Sequence, residues 1–305
     1  MGASVVYVHG NGNKIREDLL KTEWDVALFG QDLGATTRMA YWARLRYPQP
    51  LPDPASDELG LPPAAPLDET RPPAVEPPEA FIERALRDAA LGENSVDEET
   101  AAGPGPLESW LRDMTYAADA LAEGENVAPP PTSSLAALPF PRVLRTMAFR
   151  ALVERTFADV YAYFFGGLKE QMRQVVRDAL AAVDPPVIVV GHSLGSIIAY
   201  DVLREQNSSA LDVPLLVTVG SPLGVTEVQD LVERPLEVPA SVAAWRNASD
   251  ARDLVALDHT IRPEYAPPEK CTDFYVVNDS ENHHGIGEYL RTVAVRQPIL
   301  ELVRR

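Results

Sequence analysis

The sequence predicts an α/β protein with a mostly parallel central sheet flanked by helices, and three observations support this. Short β-branched runs alternate with segments of helical periodicity, a pattern that implies crossover connections between parallel strands. The run Val187–Val190 contains no polar residue, as expected for a central strand covered on both faces. The length of 305 residues and the hydrophobic content of 46% fit a globular protein with a sizeable core.

The predicted elements follow one another along the chain in a regular alternation. The strands are placed at Ser4–Val8, Arg38–Leu45, Val187–Val190, Leu215–Val219, Val242–Arg246 and Phe274–Val277. Apolar residues at helical spacing predict helices over Glu79–Leu91, Leu107–Ala122, Arg142–Phe165, Leu168–Val183 and the run Ile197–Leu203.

An acidic, proline-rich insertion interrupts this alternation. Of the 28 prolines in the chain, 18 lie between Pro48 and Pro141. Residues 48–128 carry 18 acidic side chains against four arginines, which accounts for −14 of the net charge of −18. We expect a core formed by residues 1–47 and 140–305. The insertion, 48–139, is expected to form a cap or surface strap that adds little to this core.

Charge and composition limit the classes of partner and location. A net charge of −18 disfavours nucleic acid or an anionic bilayer as the main partner, because both repel an anion. The sequence has neither an apolar run of about 18 residues nor the features of a secretory signal, so we expect a cytoplasmic protein without a transmembrane segment. The single cysteine, Cys271, excludes an intramolecular disulfide and a cysteine zinc cluster, and we expect no cofactor or metal.

The strongest local signal is the pentapeptide from Gly191 to Gly195, which reads Gly-His-Ser-Leu-Gly. It follows a predicted strand directly and opens an apolar helical run, which is the context that a nucleophile elbow requires. Glycines at both ends let strand and helix approach closely, so that Ser193 is held at the carboxyl edge of the sheet. Ser193 is therefore the candidate nucleophile, and an ordinary strand–helix turn is the alternative.

A serine hydroxyl needs a general base, and the base needs an orienting acid. Three candidate acids, Asp250, Asp253 and Asp258, follow the predicted strand Val242–Arg246. Two candidate bases, His283 and His284, follow the last predicted strand. Because the two histidines are adjacent, their side chains diverge and only one of them can face the nucleophile.

The candidate residues follow one another along the chain in the order serine, aspartate, histidine. In this order, the motifs resemble those of the α/β-hydrolase superfamily, specifically its serine esterases and lipases. The resemblance covers about residues 3–47 and 140–300. The segment from Ser193 to Asp201 is similar to the elbow helix of GPI-inositol deacylase-like and DDHD-type phospholipases. It implies an α/β-hydrolase fold with the insertion as a helical cap. The implied activity is cleavage of a small-molecule or lipid-like acyl ester through an acyl-serine intermediate.

The resemblance also selects among the candidate residues. Asp253 heads an Asp-Leu-Val segment that looks like the Asp-x-Val segment carrying the acid in many lipases, with Asp250 the next choice. His284 stands five residues before Tyr289-Leu290, a spacing similar to that in related hydrolases. The implied triad is therefore Ser193, Asp253 and His284.

An oxyanion hole requires two main-chain N–H groups aimed at the developing charge. Leu194, the residue after the nucleophile, is expected to supply one of them. The segment His9-Gly10-Asn11-Gly12 looks like the His-Gly-x motif of lipases, which implies Asn11 as the second donor. In this interpretation His9 is a structural hydrogen-bonding residue and not a second base.

Other functions remain compatible with the same residues. A thioesterase, lactonase, amidase or acyltransferase would use the same triad and pass through the same acyl-serine. A catalytically silent hydrolase fold serving as a binding module is a further alternative, disfavoured by the intact set of candidate residues. A metal site at His283 and His284 is disfavoured because adjacent histidines lack helical ligand spacing.

Overall fold

The structure is a computed structural model. It describes residues 2–53, 75–91, 107–124, 142–205 and 211–304. Its strands are β1 (Ser4–Val8), β2 (Thr37–Ala40), β3 (Val187–His192), β4 (Leu215–Val219), β5 (Trp245–Ser249) and β6 (Cys271–Tyr275). They form one six-stranded sheet in the order β2-β1-β3-β4-β5-β6, and every neighbouring pair is parallel. The predicted α/β class with a parallel sheet is confirmed, and this architecture is consistent with an α/β-hydrolase-like fold.

Helices cover both faces of the sheet. They are α1 (Glu17–Phe29), α2 (Pro78–Leu91), α3 (Glu108–Gly124), α4 (Arg142–Phe164), α5 (Lys169–Ala181), α6 (Leu194–Arg204), α7 (Thr226–Gln229), α8 (Ile286–Arg291) and α9 (Val293–Val303). Alternate residues of each inner strand point to opposite faces, so Val6 and Val189 pack toward α5 and α6, whereas Val5 and Ile188 pack toward α1 and α9. The protein therefore has two apolar layers, one on each side of the sheet.

The last two predicted strands are displaced in opposite directions: β5 begins three residues later than predicted, and β6 begins three residues earlier and ends two residues earlier. The prediction Val242–Arg246 was wrong because β5 contains two buried polar residues, Asn247 and Ser249. Their side chains form hydrogen bonds with residues distant in sequence; Thr218 Oγ1, for example, lies 2.9 Å from Asn247 Oδ1. In the sequence, the polar residues of this strand therefore resemble those of a loop. The predicted strand Phe274–Val277 begins too far along the chain, because β6 is an edge strand whose sequence has little apolar patterning.

The second strand is shorter than predicted. The strand β2 ends at Ala40, and Ala43–Leu45 forms a 3₁₀ turn in place of the predicted continuation to Leu45. The side chain of His9 accepts hydrogen bonds from the N–H groups of Trp42 (3.1 Å) and Ala43 (3.2 Å). These N–H groups are thereby bound to the loop that follows β1 instead of to a neighbouring strand.

The helices of the insertion belong to the apolar core. Phe81 of α2 and Trp110 and Met114 of α3 are buried in the same layer as α4, α5 and α6. The expectation that the insertion adds little to the core is thus wrong for these two helices, whose apolar faces pack on α4. Residues 54–74, 92–106 and 125–139, on which the predicted cap or strap also depends, lie outside the described residues.

The carboxyl ends of the parallel strands meet at one edge of the sheet. The loops that leave β1, β3, β5 and β6 at this edge, with Leu194 at the start of α6, contain every residue of the predicted site. Active sites of open α/β sheets are built at this edge, where loops from several strands converge.

Candidate active site

Ser193 occupies a strained turn between β3 and α6. Its backbone angles are φ 52° and ψ −129°, a combination that residues with a side chain rarely adopt. A Cβ atom on Gly195 would lie 2.2 Å from the carbonyl oxygen of Val8, so only glycine lets α6 start this close to β1. The Ser193 N–H group donates to the carbonyl of Val219 at 3.1 Å, which fixes the turn to the end of β4. The sequence thus places its candidate nucleophile on a rigid, strained corner of the sheet.

Asp253 and His284 form a buried acid–base pair. His284 Nδ1 lies 2.7 Å from Asp253 Oδ2 and 2.9 Å from Oδ1. Because a carboxylate only accepts hydrogen bonds, Nδ1 carries a proton, and in the neutral ring Nε2 then presents a lone pair. The Nε2 atom is buried and has no hydrogen-bond partner among the described residues. A buried imidazole nitrogen in this state is available to accept a proton from a nearby hydroxyl group.

The surroundings of Asp253 favour its ionised form. Burial acts to raise the pKa of this carboxyl group, but the charge of His284 and hydrogen bonds from His284 and Tyr289 outweigh burial and lower the pKa. The hydroxyl of Tyr289 donates to Asp253 Oδ2 at 2.6 Å, and the N–H of Val255 donates to Oδ1 at 2.9 Å. In the sequence, Tyr289 is indicated only by its spacing from His284, because its contact with the acid forms only in the folded chain.

Gly220, at the end of β4, brings the pair close to the serine turn. Its φ is +51°, and a Cβ atom there would lie 2.8 Å from Asp253 Oδ2 and 2.9 Å from His284 Cε1. A side chain at this position would therefore displace the pair. Since Ser193 is hydrogen-bonded to Val219, the residue before Gly220, the serine and the acid–base pair both lie next to the same short segment.

The two alternative acids have other partners. Asp250 Oδ2 accepts a hydrogen bond from the N–H of Asn278 at 2.6 Å, and Oδ1 accepts one from the N–H of Arg252 at 2.8 Å. Asp258 Oδ1 accepts bonds from the N–H and the hydroxyl of Thr260, both at 3.1 Å. Asp250 thus ties the loop after β5 to the chain after β6, and Asp258 stabilises a local turn.

The alternative base, His283, also contributes to the loop. It has a φ of 56°, and its Nδ1 lies 3.0 Å from the carbonyl oxygen of Asn278. The two adjacent histidines thus have different partners. Of the candidate bases, His284 is the one that the structure brings into contact with Asp253.

Asn11 lies beside the candidate nucleophile. The Ser193 hydroxyl donates a hydrogen bond to Asn11 Oδ1 at 2.8 Å. The main-chain N–H groups of Asn11 and Leu194, the predicted oxyanion donors, have no hydrogen-bond acceptor among the described residues. Both N–H groups are therefore available to a bound ligand.

A buried carboxylate on α4 fixes the loop that carries Asn11. Asp159 is fully buried and accepts hydrogen bonds from the N–H of Gly12 at 2.5 Å and the hydroxyl of Tyr47 at 2.8 Å. It also forms an ion pair with Arg46, with Nε 2.6 Å from Oδ1. Burial raises the pKa of Asp159, although the Gly12 N–H group and the Arg46 charge oppose this. The sequence contains no signal for Asp159, because its partners Gly12, Arg46 and Tyr47 are more than 100 residues away in the chain.

His192, the residue before the serine, packs on the candidate base. The two ring centroids are 4.5 Å apart, and His192 Nε2 lies 2.9 Å from the carbonyl oxygen of His284, to which it donates. Burial, with the charge of His284 second, holds the pKa of His192 well below its usual value. A neutral His192 thus supports the His284 backbone without adding a charge to the site.

A cavity of about 380 Å³ opens beside these residues. Asn11, Gly12, His192 and His284 form one part of its wall, and Leu51, Leu152 and Ile286 form an aliphatic part. The volume lies within the range of small-molecule sites.

In comparisons with known proteins, no family model, curated protein or solved structure matches the chain. No helix within the described ranges is long and apolar enough to cross a membrane. Among the same residues, no group of three or more His, Cys, Asp or Glu side chains is arranged to hold a metal ion. Any functional interpretation therefore depends on the geometry of the site itself.

Proposed function

We propose that this protein is a serine hydrolase that cleaves a carboxylic ester through an acyl-serine intermediate. The observation that carries the proposal is the buried Asp253–His284 pair, whose Nε2 atom has no partner among the described residues, beside a serine in a strained turn. Strained backbone and a buried acid–base pair are both costly to stability, and they recur where a nucleophile is activated.

In the first step, the Ser193 hydroxyl turns from Asn11 Oδ1 to His284 Nε2. Ser193 Oγ attacks the carbonyl carbon of the ester while its proton passes to Nε2. The carbonyl oxygen becomes an oxyanion, which accepts hydrogen bonds from the N–H groups of Asn11 and Leu194. Asp253, whose pKa is lowered, remains ionised and stabilises the imidazolium.

In the second step, the tetrahedral intermediate collapses and the C–O bond to the alcohol breaks. The imidazolium of His284 gives its proton to the leaving alcohol, which leaves the acyl group on Ser193 Oγ. A water molecule then attacks the acyl carbon and gives a proton to Nε2. Collapse of this second intermediate returns that proton to Ser193 and releases the carboxylic acid, which restores the starting state.

The proposal is tested with a fluorophosphonate probe, which phosphonylates activated serines. We expect labelling of the wild-type protein, localisation of the probe to Ser193 by peptide mass spectrometry, and no labelling of Ser193→Ala. A matched control is Ser221→Ala, because Ser221 is also buried near the turn, with its Oγ 2.7 Å from Ser196 Oγ. This control should keep the label. An unlabelled wild-type protein, or a label that persists in Ser193→Ala, would show that the proposal is wrong.

The leaving group is determined by a second assay. Ser193→Ala should lower turnover of p-nitrophenyl esters by about 10⁴-fold or more, the usual scale for loss of a triad nucleophile. Thioesters and anilides with the same acyl group are compared with the esters in parallel. A preference for either one would assign a thioesterase or an amidase to the same residues.

A further inference from the structure

One peptide unit of the loop after β1 is bound at both ends by charged side chains. Asn11 contributes its carbonyl oxygen, which accepts a hydrogen bond from Lys14 Nζ at 2.7 Å. Gly12 contributes its N–H group, which donates to Asp159 Oδ2 at 2.5 Å. Because this peptide is trans and planar, its C=O and N–H groups point in opposite directions. The ammonium and the carboxylate therefore lie at opposite ends of the same peptide and match its dipole.

The preceding peptide unit is also held by a side chain. The His9 ring accepts hydrogen bonds at Nε2, so its Nδ1 carries the proton and donates to the carbonyl oxygen of Gly10 at 2.9 Å. The N–H group of this peptide belongs to Asn11 and is the proposed oxyanion donor. It points away from the Gly10 carbonyl group, since the two groups share one peptide plane. Asn11 thus stands between two peptides that side chains hold in place.

Gly12 needs such contacts because its own backbone is permissive. Its φ is +83°, and a Cβ atom there would meet no other atom within 4 Å. Glycine is therefore required at this position by the backbone angle and not by close packing. Turning the Asn11–Gly12 peptide over would bring its carbonyl oxygen to Asp159 and its N–H group to Lys14, and both contacts are repulsive.

Asp159 is held in one orientation by partners other than Gly12. It is fully buried, and its Oδ1 accepts a hydrogen bond from the Tyr47 hydroxyl at 2.8 Å and pairs with Arg46 Nε at 2.6 Å. Burial raises the pKa of this carboxyl group, whereas the Gly12 N–H group and the charges of Arg46 and Lys14 lower it. Lys14 and Asp159 thus act on each other as well as on the peptide between them.

We propose that Asp159 and Lys14 are positioning residues of the oxyanion hole, which hold the Asn11–Gly12 peptide so that the Asn11 N–H group faces the ester. We call their two contacts with this peptide the peptide clamp. Its effect falls on the transition state, because the oxyanion forms only when Ser193 attacks. This inference rests on the proposed function for the reaction, but the peptide clamp can also be measured without a substrate.

Asp159→Asn tests the carboxylate. Asparagine has one accepting oxygen, so its NH₂ group must face one of two donors, Gly12 N–H or Arg46. For a p-nitrophenyl ester we expect kcat to fall about 10- to 100-fold with KM within about threefold, since outright loss of an oxyanion donor costs about 10²–10³-fold. The Ki of an alkyl trifluoromethyl ketone should rise equally. Ser193 Oγ adds to its carbonyl carbon and His284 takes the proton, which leaves an oxyanion.

Asp201→Asn is the matched control. Asp201 is also fully buried, and it accepts hydrogen bonds from the Tyr163 hydroxyl at 2.7 Å and the Glu233 N–H group at 3.0 Å. Lys169 Nζ lies 3.2 Å from the same carboxylate, so the kinds of partner match those of Asp159. Both substitutions should destabilise the fold in urea. Only Asp159→Asn should change kcat and Ki, because Asp201 lies on α6 and outside the cavity.

A double-mutant cycle tests whether the two residues act on the same peptide. Lys14→Met leaves the buried carboxylate in place, so it also serves if Asp159→Asn does not fold, and it should lower kcat with KM nearly unchanged. Either change alone releases the peptide. The double variant should therefore be within about threefold of the slower single variant, whereas independent effects would multiply.

Amide hydrogen exchange measures the peptide clamp without a substrate. Exchange in a fragment containing residues 9–14 should be about tenfold faster or more in Asp159→Asn and in Lys14→Met, but unchanged in Asp201→Asn. Unchanged kcat, Ki and exchange in both variants of the clamp, with wild-type protein that is labelled and active, would overturn the inference while the serine hydrolase proposal stands. Wild-type protein that is not labelled would instead contradict the hydrolase proposal, and the exchange rates alone would then decide whether Asp159 and Lys14 fix the loop.

Discussion

The Ser193 hydroxyl donates its hydrogen bond to the side-chain oxygen of Asn11, across 2.8 Å. This contact gives Asn11 two separable parts at the site: a side chain that holds the serine at rest, and a main-chain N–H group proposed as an oxyanion donor. The proposed mechanism requires the hydroxyl to leave Asn11 Oδ1 and turn toward His284 Nε2, and rotation of a serine side chain between staggered rotamers is fast.

Asn11→Ala separates these two parts, because it removes the side chain and keeps the N–H group. If the main chain supplies the oxyanion hydrogen bond, kcat for a p-nitrophenyl ester should change by no more than about tenfold. Loss of an oxyanion donor lowers kcat by about 10²–10³-fold. A loss of that size in Asn11→Ala would mean that the side-chain amide is the donor, and steady-state kinetics on the purified variant distinguishes the two outcomes.

Two isosteric substitutions separate the acids. Asp253→Asn removes the charge that stabilises the His284 imidazolium, and we expect kcat to fall by about 10⁴-fold. Asp250→Asn keeps kcat within about threefold but weakens the bond to the Asn278 N–H group, at a cost of about 1–3 kcal/mol in the free energy of unfolding. Kinetics and urea unfolding of both variants measure these effects. The reverse pattern, with Asp250→Asn inactive and Asp253→Asn active, would assign the acid to Asp250.

The adjacent histidines are separated in the same way. His284→Ala removes the proposed base, so kcat should fall by about 10⁴-fold while the fluorophosphonate label is also lost. His283→Asn is the matched control, because asparagine tolerates the positive φ of 56° at this position. It should keep both activity and label. Retention of activity in His284→Ala would contradict the proposed mechanism.

The parts of the fold that the sequence predicted correctly are those with a local signal. The β-branched runs Ser4–Val8 and Leu215–Val219 coincide with β1 and β4, since burial on both faces favours a predominantly apolar segment. The strand β5 lacks such a signal, because its polar Asn247 and Ser249 are satisfied by tertiary partners. Helix α1 was not predicted at all, although it buries Leu20 and Trp24 against the sheet.

The same distinction applies to the site. The Gly-x-Ser-x-Gly pattern indicated Ser193 because the turn and its glycines are neighbours in the chain. The sequence left three acids and two histidines as candidates, and the contact between Asp253 and His284 depends on how the loops after β5 and β6 meet. Asp159 carries no local signal, since its proximity to the loop after β1 results from the packing of α4 more than 140 residues later.

His9 joins the loop after β1 to the chain after β2 in one protonation state only. Its Nε2 accepts hydrogen bonds from the N–H groups of Trp42 (3.1 Å) and Ala43 (3.2 Å), and its Nδ1 lies 2.9 Å from the carbonyl oxygen of Gly10, to which it donates. A protonated ring could not accept either bond at Nε2. Burial, with the charge of Lys14 second, lowers the pKa of His9 to about 3.

This lowered pKa predicts a specific loss of stability in acid. In the unfolded chain His9 takes up a proton below about pH 6.5, whereas the folded protein binds it only near pH 3. The stability from neutral His9 is therefore fully present above about pH 6.5 and is lost as the pH falls toward 3. Below about pH 5.5 its contribution to the slope approaches about 1.4 kcal/mol per pH unit. His9→Gln removes this titration, so its free energy of unfolding, measured in urea between pH 4 and pH 7, should depend less steeply on pH by one proton. Parallel pH dependences, separated only by a constant offset from lost packing, would show that His9 takes up its proton as readily in the folded protein as in the unfolded chain and would contradict the prediction.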